Sequence, residues 1–328
     1  MASRSPIGAT STAIPIATPT VFVSGATGNI GGALARELRQ GLGWAVHATV
    51  RDPESPRAQE LKAMGVRLWR GDWDDVASLS AAMDGCDKLF ICTATYVDDP
   101  GRERVHAENL VHAARDAECI RHVVVSSSIG VFTHDRSGNS HRHSIFFDRV
   151  MAAKEAGEQA VSTSSSGGET DWRWTLLRPA LFMTNFLAPR VDYFSPGFRA
   201  DGVWRSTMTA ESRLALVEPA DVAKVAAVVL KHADNFHGRA LGVAGDVLTV
   251  QEALKQLGEM TGRSYKPYFM SEEEIDRQKE SLCFTIAERS LRFMADNVDL
   301  RELASMTRLT SFKEFLNREE KQVKETYL

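Results

Sequence analysis

The chain of 328 residues sets 39 Lys and Arg against 43 Asp and Glu, a formal charge of −4, which excludes the strong positive field of a nucleic-acid binder. Hydrophobic residues at 43% and charged residues at 25% describe a globular chain rather than a disordered or fibrous one. The longest apolar runs, Val21 to Val23 and Ala226 to Leu230, fall far short of a membrane span. Cys86, Cys92, Cys119 and Cys283 form no CxxC pair, so neither a metal site nor a cystine framework is expected.

Residues 1 to 18 are rich in Ala, Ser, Thr and Pro and lack the basic and apolar regions of a signal peptide; they read as a flexible tail, and a cytoplasmic location is expected. From Thr20 onward apolar runs alternate with helical segments. Strands are predicted at Val21 to Val23, Ala45 to Val50, Val66 to Trp69, Lys88 to Cys92, Val123 to Val125 and Trp174 to Leu177. Helices are predicted over Ala33 to Gln40, Ala58 to Met64, Val76 to Met83 and Glu103 to Ala117, with a further one reaching Val161. Such alternation predicts βαβ units, and therefore an α/β fold with a doubly wound parallel sheet. The stretches Thr133 to Ser144 and Ser162 to Gly168 read as polar loops. Beyond Pro179 an irregular stretch, Phe182 to Arg213, precedes helices at Pro219 to His232, Thr249 to Thr261 and Ser311 to Glu325. The expected division is a dinucleotide-binding domain over residues 19 to 180 and a smaller, partly interleaved substrate-binding lobe over 181 to 328.

The sharpest motif is Gly25-Ala26-Thr27-Gly28-Asn29-Ile30-Gly31, a GxxGxxG spacing between the first strand and a helix. Gly25 permits a tight turn, Gly28 lets the backbone approach a pyrophosphate, and Gly31 lets helix and strand pack closely; free N–H groups at the helix start face the anion. Thr27, Asn29 and Ile30 belong to the same turn. The second strand runs Ala48-Thr49-Val50-Arg51-Asp52. Arg51 at its end suits a ribose 2′-phosphate, and hence NADP(H), whereas Asp52 would suit the free 2′-hydroxyl of NAD if the register shifts by one residue. After the third strand, Asp72 is placed to accept from the adenine amino group with Trp73 flanking the ring, while Asp74 or Asp75 caps the next helix. Thr93, Ala94, Ser126 and Pro179, at the ends of later strands, complete the candidate cofactor residues.

Together with Val50-Arg51, Gly71-Asp72, Val123-Val124-Val125-Ser126-Ser127-Ser128, Lys154 with Glu158, Leu177-Arg178-Pro179, Phe182-Met183-Thr184-Asn185-Phe186 and Asp221-Val222-Ala223, the glycine turn resembles the NmrA-like group of atypical short-chain dehydrogenase/reductases. The resemblance covers residues 20 to 316. It implies a Rossmann-like domain, NADP(H) binding and a substrate cleft under the C-terminal lobe. It also implies a departure: the broader superfamily uses a Tyr four residues before the Lys as proton donor, and Val150 holds that position before Lys154. Lys154 keeps the role of holding the nicotinamide ribose or assisting as an acid.

His143, Phe147, Val150 and Lys154 fall on one helical stripe if the helix begins early, which makes His143 a candidate acid, although its polar neighbours favour loop exposure. Ser128 at the end of the fifth strand is a candidate donor to a substrate carbonyl. Phe132, Phe147, Val150, Phe182, Asn185, Phe186 and Trp204 are candidate substrate residues, in a cleft suited to a small hydrophobic or aromatic molecule. Three functions are expected in order. The first is an NADPH-dependent reductase of a C=O, C=N or conjugated C=C bond, for which an iminium or quinone-like substrate needs little proton donation. An NADP(H)-sensing regulator without turnover follows, then a non-redox isomerase or cyclase. No nucleic-acid or membrane partner is expected, and a monomer or homodimer is.

Overall fold

The computed structural model describes residues 18–134, 145–164, 172–279, 281–282 and 288–328. Strands β1 (Thr20–Val23), β2 (Ala45–Val50), β3 (Arg67–Arg70), β4 (Lys88–Ile91), β5 (His122–Ser126) and β6 (Arg173–Pro179) alternate with helices α1 (Asn29–Arg36), α2 (Pro56–Ala63), α3 (Val76–Met83), α4 (Arg102–Asp116), α5 (Gly130–His134) and α6 (Ile145–Ser164). The second half supplies β7 (Leu181–Phe182), α7 (Val191–Phe194), α8 (Phe198–Asp201), β8 (Val203–Ser206), β9 (Arg213–Val217), α9 (Pro219–Lys231), α10 (Ala233–Phe236), β10 (Arg239–Val243), β11 (Asp246–Thr249), α11 (Val250–Thr261), β12 (Lys266–Phe269) and α12 (Glu272–Gln278). Short helices Leu300–Met306, Phe312–Arg318 and Glu320–Tyr327 close the chain.

The main sheet has seven strands in the order β10-β6-β5-β4-β1-β2-β3, every pair parallel. The expected doubly wound parallel sheet is therefore present, with strand order reversing between β1 and β4. That reversal is where the connections leave in opposite directions and open a crevice at the carboxyl ends. The central strands are apolar without alternation because helices cover both faces: Phe22 packs with Leu79, Leu89 and Leu110 on one side, Val21 and Val23 with Leu34 on the other.

Several elements differ from the sequence reading. A seventh strand, β10, comes from beyond residue 180 and pairs with β6; its sequence Arg-Ala-Leu-Gly-Val is too short and small for periodicity to mark it. The first helix begins at Asn29, directly at the turn, and ends in a π-helical turn over Glu37–Gly41. Helix α6 runs on to Ser164, three residues into the expected loop, while most of that loop and of Thr133 to Ser144 lies outside the described residues. The terminal helix is two, broken at Glu319. Two-stranded and three-stranded sheets, β12-β8 and β11-β9-β7, build the region over the carboxyl edge. Among the described residues no helix is long and apolar enough to cross a membrane.

One core position carries a pH signature. His122, 1% exposed, sits on β5 directly between Lys88 of β4 and Arg173 of β6, and neither ring nitrogen has a hydrogen-bond partner. Burial, reinforced by those cations, pushes its pKa down to about 3. An unfolded His titrates near ~6.5, so between the two values the unfolded chain binds the extra proton and stability rises with pH. The contribution is complete above the unfolded value and is lost as pH falls towards the folded one. His122→Leu should flatten the stability profile below neutrality by up to about 1.4 kcal/mol per pH unit relative to wild type. Urea denaturation at intervals of pH checks this, and parallel profiles for the two proteins would show that His122 protonates in the fold.

Candidate active site

The glycine turn is built by backbone approach. Gly25 adopts a φ of +65°, and its carbonyl accepts from the Gly28 N–H at 2.8 Å. A Cβ at Gly25 would stand 2.7 Å from the Cys92 carbonyl, and one at Gly31 would stand 2.3 Å from the Gly25 carbonyl. Only glycine fits at either position. Ser24 ties the turn sideways: its hydroxyl accepts from Cys92 N at 2.7 Å and donates to Cys92 O at 3.2 Å, joining the ends of β1 and β4. Helix α1 starts at Asn29 with Gly28 as an N-cap that makes no side-chain bond, which leaves the first N–H groups of the helix to a ligand.

A cleft of about 410 Å³ opens above this turn along the carboxyl edge. Of the residues read from the sequence, Gly25, Thr27, Gly28, Asn29, Ile30, Gly31, Arg51, Asp72, Trp73, Thr93, Ala94 and Phe182 all line it. Arg51 follows directly on β2 and faces the cleft, whereas Asp52 is outside the lining and its carboxylate accepts from Glu54 N at 3.0 Å. Asp75 caps α3 by accepting from Ser78 N, and Asp72 lines the cleft while one of its oxygens accepts from Asp74 N at 3.1 Å. Val50 and Gly71, read from the sequence only as parts of the resemblance, also line it, as do Thr49, Cys92, Tyr96, Arg190 and Pro219, which were not candidate site residues. Arg190 reaches the cleft from beyond β7, at a range no local pattern reveals; its guanidinium donates to Thr184 Oγ1 at 3.0 Å. Asp72, Asp74 and His106 bring ligand-type atoms within 4.8 Å of one another, but Asp74 already pairs with Arg102 and His106.

Lys154 and Ser126 lie deeper, beside a void of about 10 Å³ that shares Thr93 with the cleft. The Lys154 ammonium is not free: it pairs with Glu103 Oε1 at 2.6 Å, and Glu103 is 3% exposed. The same carboxylate accepts from Thr93 Oγ1 at 3.1 Å and Thr95 Oγ1 at 2.8 Å. Glu103 was missed because its partner is 51 residues away and a first-turn Glu is unremarkable on a helix. Burial pushes the Cys92 thiol up to about 11; Lys154 pulls against that shift and Glu103 adds to it.

The substrate candidates scatter. Phe147 and Val150 are buried with Met151 in a small apolar cluster beside Phe146 and Val131. Phe186 and Trp204, expected in the cleft, are instead core: each is 1% exposed, their rings stack at 4.9 Å, and Phe312 and Phe198 pack against them. Asn185 is buried in the 3₁₀ turn Met183–Phe186. Phe132 lies under the Arg178 guanidinium at 4.0 Å, and Arg178 is held by Glu158 at 2.5 Å. Ser128 accepts from Gly130 N at 3.2 Å, a loop contact. Pro179 ends β6, where its carbonyl accepts from Ile129 N. His143 lies outside the described residues.

A parallel sheet in this strand order, with a glycine turn at the switch point and a cleft above it, defines a Rossmann-type dinucleotide-binding protein. The NmrA-like family model matches residues 17–316, and the chain belongs to that family. It is 30% identical over 263 residues, 80% of each chain, to the (4-alkanoyl-5-oxo-2,5-dihydrofuran-3-yl)methyl phosphate reductase of Streptomyces griseus subsp. griseus. Among solved structures, the fold matches the triphenylmethane reductase of Citrobacter sp. complexed with NADP(H), with a TM-score of 0.67 at 24% identity, covering 91% of this chain and 99% of that one. It also matches NmrA, a negative transcriptional regulator, in complex with NADP, with a TM-score of 0.68 at 17% identity over 94% and 95% of the two chains.

The close approach at Gly31 yields a direct test. Gly31→Ala forces backbone apart in a packed turn and should cost at least ~2 kcal/mol of stability, with α1 displaced from β1. Chemical denaturation measures it, and an unaltered midpoint would mean the turn relaxes freely.

Proposed function

We propose that the protein is an NADPH-dependent reductase that delivers hydride to a C=O, C=N or conjugated C=C bond of a hydrophobic metabolite. The observation that carries the cofactor assignment is Arg51 in the cleft with Asp52 turned into its own Asx turn. A guanidinium at the end of β2 matches a 2′-phosphate, and among the described residues lining the cleft only Asp72 carries a carboxylate. Asp72 and Trp73 then take the adenine end, and the N–H groups at the start of α1 take the pyrophosphate. The glycines let the turn close, since a Cβ at Gly25 or Gly31 would collide with backbone, and the uncapped N–H groups at the start of α1 line the cleft where that group would lie. Bound NADPH supplies the hydride.

What the chain's own groups do at the far end favours a particular electrophile. Val150 cannot donate a proton and is buried in an apolar cluster. The Lys154 ammonium is committed to a buried carboxylate, and burial holds the Cys92 thiol up at about 11, which makes that thiol a weak acid. A substrate that spreads the negative charge left by hydride over a conjugated system, or starts as a cation, needs no strong acid at that moment. The Streptomyces griseus relative is named for an oxo-dihydrofuranylmethyl phosphate bearing an alkanoyl group, a conjugated electrophile of that sort that also carries a phosphate. Supporting the reductase reading over a non-redox enzyme is the same relative's name.

Calorimetric titration with NADPH, NADP⁺, NADH and NAD⁺ tests the assignment. Arg51→Ala should weaken NADPH binding at least tenfold and leave NADH within twofold. Equal loss for both would move recognition away from the 2′-phosphate. Consumption of NADPH with a quinone or a conjugated enone separates a reductase from a sensor, which would bind the cofactor and turn nothing over.

A further inference from the structure

The two halves of the cleft lie on opposite sides of the switch point. Arg51, Asp72 and Trp73 stand above β2 and β3, and the glycine turn above β1; a dinucleotide laid across the turn therefore sends its other half over β4 and β5. Cys92 and Thr93, immediately after β4, line the cleft there. Directly behind them lies the Lys154–Glu103 pair, reached through Thr93, whose hydroxyl donates to the same carboxylate oxygen as Lys154. The pair is assembled by helix packing. A Cβ at Gly157 would come within 3.1 Å of the Ala107 Cβ, so the small residue brings α6 close against α4, and Lys154 of α6 meets Glu103 in the first turn of α4.

We infer that Glu103 is a positioning residue that sets which redox form of the cofactor the cleft prefers, by cancelling the charge of Lys154 at the nicotinamide end. This rests on the reading of the cleft as a nicotinamide dinucleotide site. The two redox forms differ by a positive charge on the ring. A lone ammonium behind Thr93 repels the oxidised ring and leaves the reduced ring alone, and an unpaired carboxylate attracts the oxidised ring. Paired at 2.6 Å with both members largely out of solvent, the two charges present a near-neutral wall. The buried Cys92 thiol beside the pair is acted on by both charges in opposite senses, as expected of charges that offset one another at short range. Glu103 holds Lys154 in place through one oxygen while the Thr95 hydroxyl at 2.8 Å holds the other, so the carboxylate is anchored independently of its cation.

The test is the ratio of dissociation constants for NADP⁺ and NADPH, measured by calorimetry on the full chain, with melting curves confirming that each variant folds. Glu103→Gln keeps the shape and removes the negative charge, and the NADP⁺ to NADPH ratio should rise at least fivefold over wild type. Lys154→Met should lower it at least threefold. Glu103→Gln with Lys154→Met restores neutrality and should return the ratio to within twofold of wild type, a reversal that a purely structural role does not produce. Either single variant with the double one suffices if the other fails to fold. Ratios unmoved in the folded variants, with wild type binding both forms, overturn the inference and leave the cofactor reading standing. Wild type that binds neither form overturns both.

Discussion

Everything in the cleft depends on the contact between two peptide backbones at Gly25 and Gly31. Helix α1 begins while the chain is still turning off β1, and the Gly25 carbonyl stands where a side chain on Gly31 would be. This places the positive end of the helix at the carboxyl edge of the sheet, at the point where strand order reverses. The second side of α1 is fixed by α9, a helix from beyond residue 180 whose face of Val222, Val225, Ala226 and Val229 is wholly buried. The glycine turn is thus clamped between a strand from the first half of the chain and a helix from the second.

Charge is distributed unevenly along the edge that this geometry creates. At the outer end Arg51 is exposed, facing the cleft without a carboxylate opposite it in the lining except Asp72, a disposition that suits a doubly charged phosphate. At the inner end each buried charge has a partner, Lys154 with Glu103 and Arg178 with Glu158. A buried pair adds little net stability and is costly to break, because one member alone is left desolvated. The contrast is between an exposed cation where solvent is available and charge-paired side chains where it is not.

The sheet and its glycine turn were legible because the central strands β1, β4 and β5 are short apolar runs and the triplet falls between strand and helix. Val76–Met83 and Ala45–Val50 appear at the boundaries read from the sequence. What was illegible shares one property: it depends on residues distant in sequence. β10 has meaning only through its ladder with β6. Arg190 enters the cleft through the irregular segment after β7, and Glu103 acquires its partner through helix packing. Aromatic residues misled for the same reason. Phe186 and Trp204 occur in connecting segments, where exposure to a ligand is a natural reading, yet they close a second apolar core with Phe198 and Phe312.

Helix α6 shows how the site operates with a valine in the tyrosine position. Lys154 and Glu158 stand one turn apart on it, and each is tied to a different element, α4 through Glu103 and β6 through Arg178. Two anchors fix both the rotation and the depth of the helix. Its earlier turn then presents Phe147, Val150 and Met151 as a packed apolar group rather than a proton donor. A tyrosine at Val150 would have to bury a hydroxyl among those side chains or displace them, and a buried hydroxyl without a partner is costly. The surroundings are therefore adapted to the valine, and under the proposed reductase function the restriction falls on the electrophile, which would have to stabilise the product of hydride addition through its own conjugation.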